Sequence, residues 1–104
     1  MKVFISQPMY GLSDNHILDI RNNIKTFLEQ NGFDVIDSFL KDDDKNRIEM
    51  LGKSIELLGE ADYIYMAKGW KDNKGCRIEY RVAKEYGIPI VYNLESFILK
   101  RFEE

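Results

Sequence analysis

The sequence predicts an α/β fold in three layers, a four-stranded parallel sheet covered by helices on both faces, and three observations carry that reading. Four short apolar runs rich in β-formers recur along the chain. Between and after them, apolar residues return at helical spacing. The connections are short, and strict alternation of this kind implies parallel strands, because each crossover helix carries the chain back along a sheet face. The 104 residues form one domain, 1–104, and 44% hydrophobic residues suffice to bury a core that rests on packing rather than on disulfides.

The first run is Val3-Phe4-Ile5, ended by Ser6-Gln7-Pro8. Ile17, Ile20, Ile24, Phe27 and Leu28 then mark an amphipathic helix, with Ser13 as its N-cap and Gly32 just past its end. Phe33 to Ile36 is the second strand. Ile48, Leu51, Ile55 and Leu58 mark a second helix that stops before Gly59, and Ala61 to Ala67 is the third strand. Ile78, Val82 and Tyr86 mark a third helix closed by Gly87. Ile88-Pro89-Ile90-Val91-Tyr92 is the fourth strand, and Leu94 to Phe102 the last helix. The order βαβαβαβα fits a flavodoxin-like sandwich with strand order 2-1-3-4. In such sheets ligands bind beyond the carboxyl ends of the strands, near the switch in strand order, here between the first and third strands. That selects Ser6 to Ser13, Asp37 to Asn46, Lys68 to Gly75 and the short exit at Asn93.

With one Cys and one His the chain has no internal bridge and no metal-ligand set of the usual nitrogen and sulfur type, so neither metal nor cofactor is expected. A reducing cytoplasm is the expected compartment. No apolar run reaches the roughly 20 residues that span a bilayer, and Met1 to Ser6 runs straight into a strand pattern, so secretion and membrane insertion are not expected. A net charge of -3 speaks against dedicated nucleic-acid binding, but the charge is uneven. Five acids lie between Asp34 and Asp44 against Lys41 alone, and six bases lie between Lys68 and Lys84 against Asp72 and Glu79. Both stretches also read as solvated surfaces.

The third strand leads into Lys68-Gly69-Trp70-Lys71-Asp72-Asn73-Lys74-Gly75, and the next helix opens Cys76-Arg77-Ile78-Glu79. A Gly-bearing basic loop at a helix N-terminus offers backbone N–H groups and a positive dipole end to a phosphate or carboxylate. Glu79 sits about one turn inside that helix, where the dipole, Lys74 and Arg77 are expected to favour its ionised form. An ionised, positioned carboxylate is a candidate nucleophile. The alternative is an ion pair on a solvated face.

From Ala61-Asp62 through this loop to Gly75-Cys76-Arg77-Ile78-Glu79, the chain resembles the nucleoside 2-deoxyribosyltransferase superfamily, which includes deoxynucleotide N-glycosidases and carries Gly-x-x-x-Glu or Gly-x-Gly-x-Glu at this place. The resemblance covers nearly the whole chain as element order and is closest to small phage and bacterial members that begin with a stretch like Lys2-Val3-Phe4-Ile5-Ser6-Gln7-Pro8-Met9. It implies that Glu79 attacks the anomeric carbon of a deoxyribonucleoside, displaces the base and holds the sugar as an ester until water or a second base resolves it. A carboxylate suits an oxocarbenium-like transition state, because its charge both stabilises and traps the sugar. Two positions depart from the pattern. The first-strand Tyr whose hydroxyl orients the nucleophile is replaced by Phe4, and an Asp eight residues before Asp62 is replaced by Ser54. Tyr10 is the expected substitute for the lost hydroxyl, and Asp72 or Asn73 the group near the base, since the family carries an acid in the matching loop. The alternatives are that Tyr10 packs on the loop surface and that Asp72-Asn73 makes a turn.

Ser6, Gln7, Asp37, Ser54, Gly69, Trp70, Asn73, Lys74, Gly75, Arg77 and Asn93 form the expected substrate rim around the catalytic candidates Glu79, Tyr10 and Asp72. Asp37 would accept from ribose hydroxyls or cap local backbone. Trp70, the only Trp, would stack on a base, or act as a lid or subunit contact. Cys76 is assigned no chemistry. The aromatics Tyr63, Tyr65, Phe97 and Phe102 exceed what one small core is expected to take, and the family by resemblance closes its sites with a neighbouring subunit, so a homodimer or higher homo-oligomer is expected. The expected function is a nucleoside or nucleotide N-glycosyl enzyme working through a glycosyl-Glu79 intermediate. The rival is a non-catalytic protein that senses or sequesters a nucleotide.

Overall fold

A computed structural model describes residues 1–9, 11–37 and 47–103, with side chains through Lys100 in the last helix. The elements are β1 (Lys2–Ser6), α1 (Asp14–Gln30), β2 (Asp34–Ile36), α2 (Arg47–Leu58), β3 (Tyr63–Met66), a 3-10 turn (Trp70–Asp72), α3 (Lys74–Glu85), β4 (Ile90–Val91) and α4 (Leu94–Glu103). The strands form one parallel sheet in the order β2-β1-β3-β4, as the alternation predicts. Three strands are shorter than expected, because the preceding helices claim their first residues. The Phe33 N–H bonds to the Leu28 carbonyl, the Ala61 N–H to the Leu58 carbonyl and the Ile88 N–H to the Ala83 carbonyl, which leaves those residues closing α1, α2 and α3. Ser13 caps α1 as expected, its hydroxyl accepting from the His16 N–H at 3.2 Å.

Successive residues of β1 point to opposite faces, and this alternation sorts the core into two layers. Val3 and Ile5 pack with Leu28, Phe33 and Ile98 on the α1 and α4 side. Phe4 packs with Leu58, Ile64, Met66, Cys76 and Ala83 on the α2 and α3 side. Ser6, two residues on from Phe4, therefore also faces α3. Leu58 is fully buried at the end of α2, so Leu58→Ala should cost about 2–5 kcal/mol in urea unfolding, with the midpoint falling at unchanged slope.

Three expectations need correction. Tyr63 and Phe97 lie within the chain's own core, their rings 4.8 Å apart and both against Phe33, with Tyr65 half-buried beside them. They give no ground for a subunit interface; the Phe102 side chain lies outside the described residues. In α3 the buried stripe is Cys76, Glu79 and Ala83, whereas Ile78 and Tyr86, expected on the core face, are 37% and 81% exposed. In α2 Ile48 is 84% exposed and Leu51 only partly covered, because the first half of that helix borders a cavity rather than the sheet. Among the described residues no helix is long and apolar enough to cross a membrane.

Candidate functional site

β1 ends at Ser6 and α3 places Glu79 directly against it. The Ser6 hydroxyl donates to Glu79 Oε1 at 2.7 Å, and Ser54 of α2 also hydrogen-bonds the carboxylate. Three elements thus converge on one acid at the carboxyl edge of the sheet, where β1 and β3 adjoin. Glu79 is only 7% exposed. Burial pushes its pKa up to about 7, against the opposing pull of the two hydroxyls and the Arg21 charge. The expectation that the helix dipole, Lys74 and Arg77 favour its ionised form is therefore corrected: desolvation outweighs them and raises the pKa.

Arg21 is the residue that sequence reasoning missed. It lies on the apolar face of α1 and is 4% exposed, its guanidinium donating to the Ile36 carbonyl at 3.0 Å at the end of β2. Burial opposes its charge, while Asp37 and Glu79 support it. The signal was present: position 21 falls inside the Ile17, Ile20, Ile24, Phe27 stripe, where a cation requires a buried partner. Asp37 thus faces Arg21 from the end of β2 and does not line the cavity described next.

A cavity of about 730 Å³ opens over Glu79. Of the expected rim it brings together Gln7, Ser54, Asn73, Lys74, Gly75 and Arg77, and with them the catalytic candidate Asp72. Sequence reasoning missed its apolar wall, Met9, Ile48, Met50, Leu51 and Ile78, because Ile48, Leu51 and Ile78 read as core and Met9 and Met50 carried no signal. The Gln7 amide donates to the Ile17 carbonyl at 2.9 Å, and its buried Oε1 has no hydrogen-bond partner among the described residues. Asn73 caps α3, accepting from the Cys76 N–H at 3.0 Å. The Cys76 thiol is buried and pushed up to about 11 by that burial, so the helix N-terminus does not activate it.

The remaining expected residues lie elsewhere. Asn93 caps α4, accepting from the Ser96 N–H at 2.9 Å. Gly69 takes a left-handed φ of +88° that starts the 3-10 turn, with Pro8 3.6 Å from where a Cβ would stand. Trp70 turns away from Glu79 and stacks on Tyr80 at 4.6 Å. Tyr10, Ser38 and the acidic run Asp42 to Asp44 lie outside the described residues. Among the described residues the hydroxyls on Glu79 are those of Ser6 and Ser54. Phe4 is 1% exposed beneath α2 and α3, on the same strand face.

Fold and site together define a parallel α/β sandwich whose polar centre is a buried glutamate at the carboxyl ends of its strands, under an apolar cavity with a basic rim. Residues 1–92 match the family described as Domain of unknown function (DUF4406), and the chain belongs to that family. No curated protein and no solved structure matches it.

Proposed function

We propose that the chain cleaves or exchanges the N-glycosidic bond of a nucleoside or nucleotide, with Glu79 as nucleophile. The observation that carries this reading is the Glu79 carboxylate held by Ser6 and Ser54 at the base of a cavity of about 730 Å³. The apolar wall of Met9, Ile48, Leu51 and Ile78 suits a flat base, and Lys74 and Arg77, which line the same cavity from α3, suit a phosphate. A Glu79 oxygen attacks C1′ as the C1′–N bond breaks. The base leaves with the bonding electrons and takes a proton from solvent beside Asp72. Water or a second base then attacks C1′, the ester opens and the carboxylate is restored. Positive charge developing on the sugar favours the ionised form of Glu79, offsetting the burial that raises its pKa.

A second reading, a receptor that binds a nucleotide without cleaving it, is favoured by two features. The raised pKa favours the protonated form of Glu79, which is a poor nucleophile, and position 4 lacks the phenol that the resemblance assigns to enzymes. Incubation with a panel of nucleosides and nucleotides separates the two readings. Base release or exchange seen by chromatography supports the first. Calorimetric binding with every ligand intact supports the second.

If Lys74 and Arg77 receive a phosphate, Lys74→Ala and Arg77→Ala should each weaken a 5′-monophosphate by about 1–3 kcal/mol relative to its parent nucleoside. Paired calorimetric titrations check this; equal losses for both ligands would place the two cations outside the phosphate site.

A further inference from the structure

The outer face of α3 carries a second concavity, of about 620 Å³, that the reaction over Glu79 does not use. Its aromatic side is built by Trp70 and Tyr80, 4.6 Å apart and tilted by 31°, with Tyr92 close to both rings at 6.4 and 6.5 Å. Its rim carries Lys71, Arg77, Arg81 and Lys84 against the single carboxylate of Glu85, which accepts from Arg81 Nε at 3.1 Å in an exposed pair that an incoming anion can displace. In a chain of net charge -3 this is positive charge gathered on one face.

Two of those cations stand over the rings, Lys71 5.9 Å from the centre of Trp70 and Lys84 5.6 Å from that of Tyr80. Among the described residues neither has an ion-pair partner, so an arriving anion can draw both ammoniums off the ring faces. Arg77 donates to the Lys71 carbonyl at 3.0 Å, which ties the 3-10 turn to α3 and fixes the wall of the concavity. The phenol of Tyr80 feels the local field. A hydrogen bond from Tyr92, then the charges of Lys84 and Lys71, hold it below its usual range.

We propose that this concavity is a second nucleotide site, one that takes a nucleoside triphosphate with its base on Trp70 and Tyr80 and its phosphates on Lys71, Arg81 and Lys84. With Arg81 shared with Glu85, the face keeps a net excess of three positive charges, which suits a polyphosphate better than a monophosphate, and the aromatic surface gives a base stacking energy that an inorganic anion cannot collect. Arg77 borders both cavities, but the contacts assigned to the nucleotide, Trp70, Tyr80, Lys71, Arg81 and Lys84, line only this one, and Glu79 lines only the other.

Trp70 is the only Trp of the chain, so its emission reports on this concavity. The intact protein is titrated at constant ionic strength with ATP, adenosine, inorganic triphosphate and a single-stranded oligodeoxynucleotide. The expected result is saturable quenching by ATP, with adenosine and inorganic triphosphate each weaker by about tenfold or more, the loss of one contact class. Lys84→Glu, at an exposed position, should weaken ATP by at least about tenfold. Glu79→Ala should keep the response, so failure of base release leaves this site standing. Emission unmoved by millimolar ATP overturns the proposal. So does quenching that Lys84→Glu leaves unaltered, which would place the ligand elsewhere, or an oligonucleotide response that ATP does not compete, which would make the face a polymer-binding surface.

Discussion

Glu79→Gln is expected to be more stable than the parent protein near pH 8, by up to roughly 3 kcal/mol, with the gap shrinking to under about 1 kcal/mol near pH 5. The carboxyl has a pKa of about 7 in the folded chain against an ordinary 4.5. As pH rises the unfolded chain releases this proton first, so the native state binds more protons throughout that window and stability falls across it. Below the window both states are protonated; above it the penalty of a buried anion is paid in full. A Gln amide can take up the hydroxyls of Ser6 and Ser54 without that penalty, and Arg21 keeps Asp37. Urea unfolding at a series of pH values checks this. Parallel stability curves for the two proteins would show that Glu79 titrates in the folded chain as it does in the unfolded one.

Loss of the same carboxylate should have the largest effect on chemistry. Glu79→Ala is expected to lower base release by about three orders of magnitude or more, because the substitution removes the nucleophile of the proposed reaction. Ser6→Ala tests how the acid is held. The Ser6 hydrogen bond favours the ionised form, so its removal should move the acid limb of the pH–rate profile upward while leaving ligand affinity nearly unchanged. A rate that falls with no movement of the profile would assign Ser6 a packing role only.

The stability cost and the proposed activity share one cause. A carboxylate desolvated at the sheet edge disfavours the fold at neutral pH, and the same desolvation strengthens its interaction with a developing sugar cation.

The sheet order was legible because each crossover is short and each strand carries its apolar run, from Val3-Phe4-Ile5 to Ile90-Val91. The acid of the site was legible as well, since Glu79 stands in a helix after a Gly-bearing basic loop. Its burial was not. Ile78, Val82 and Tyr86 offered a plausible apolar stripe, whereas the sheet meets Cys76, Glu79 and Ala83, a stripe with a charge in its middle. Arg21 was concealed in the same way on α1. An ionisable group on a buried stripe looks unfavourable until its partner on another element is known, and that partnership is a tertiary fact. Trp70 and Asn93 failed as rim residues for a different reason: both sit in loops at the correct edge, but local contacts, to Tyr80 and to the start of α4, set their directions.

The most direct test of a glycosyl-Glu79 intermediate is rapid acid quench of the protein with the nucleoside or nucleotide that gives base release, followed by intact-mass measurement and peptide mapping. The expected result is a transient mass increase equal to the sugar or sugar phosphate, located on the peptide that holds Glu79 and absent from Glu79→Ala. Base release at full rate with no adduct at any quench time, or an adduct on another residue, would contradict a covalent role for Glu79.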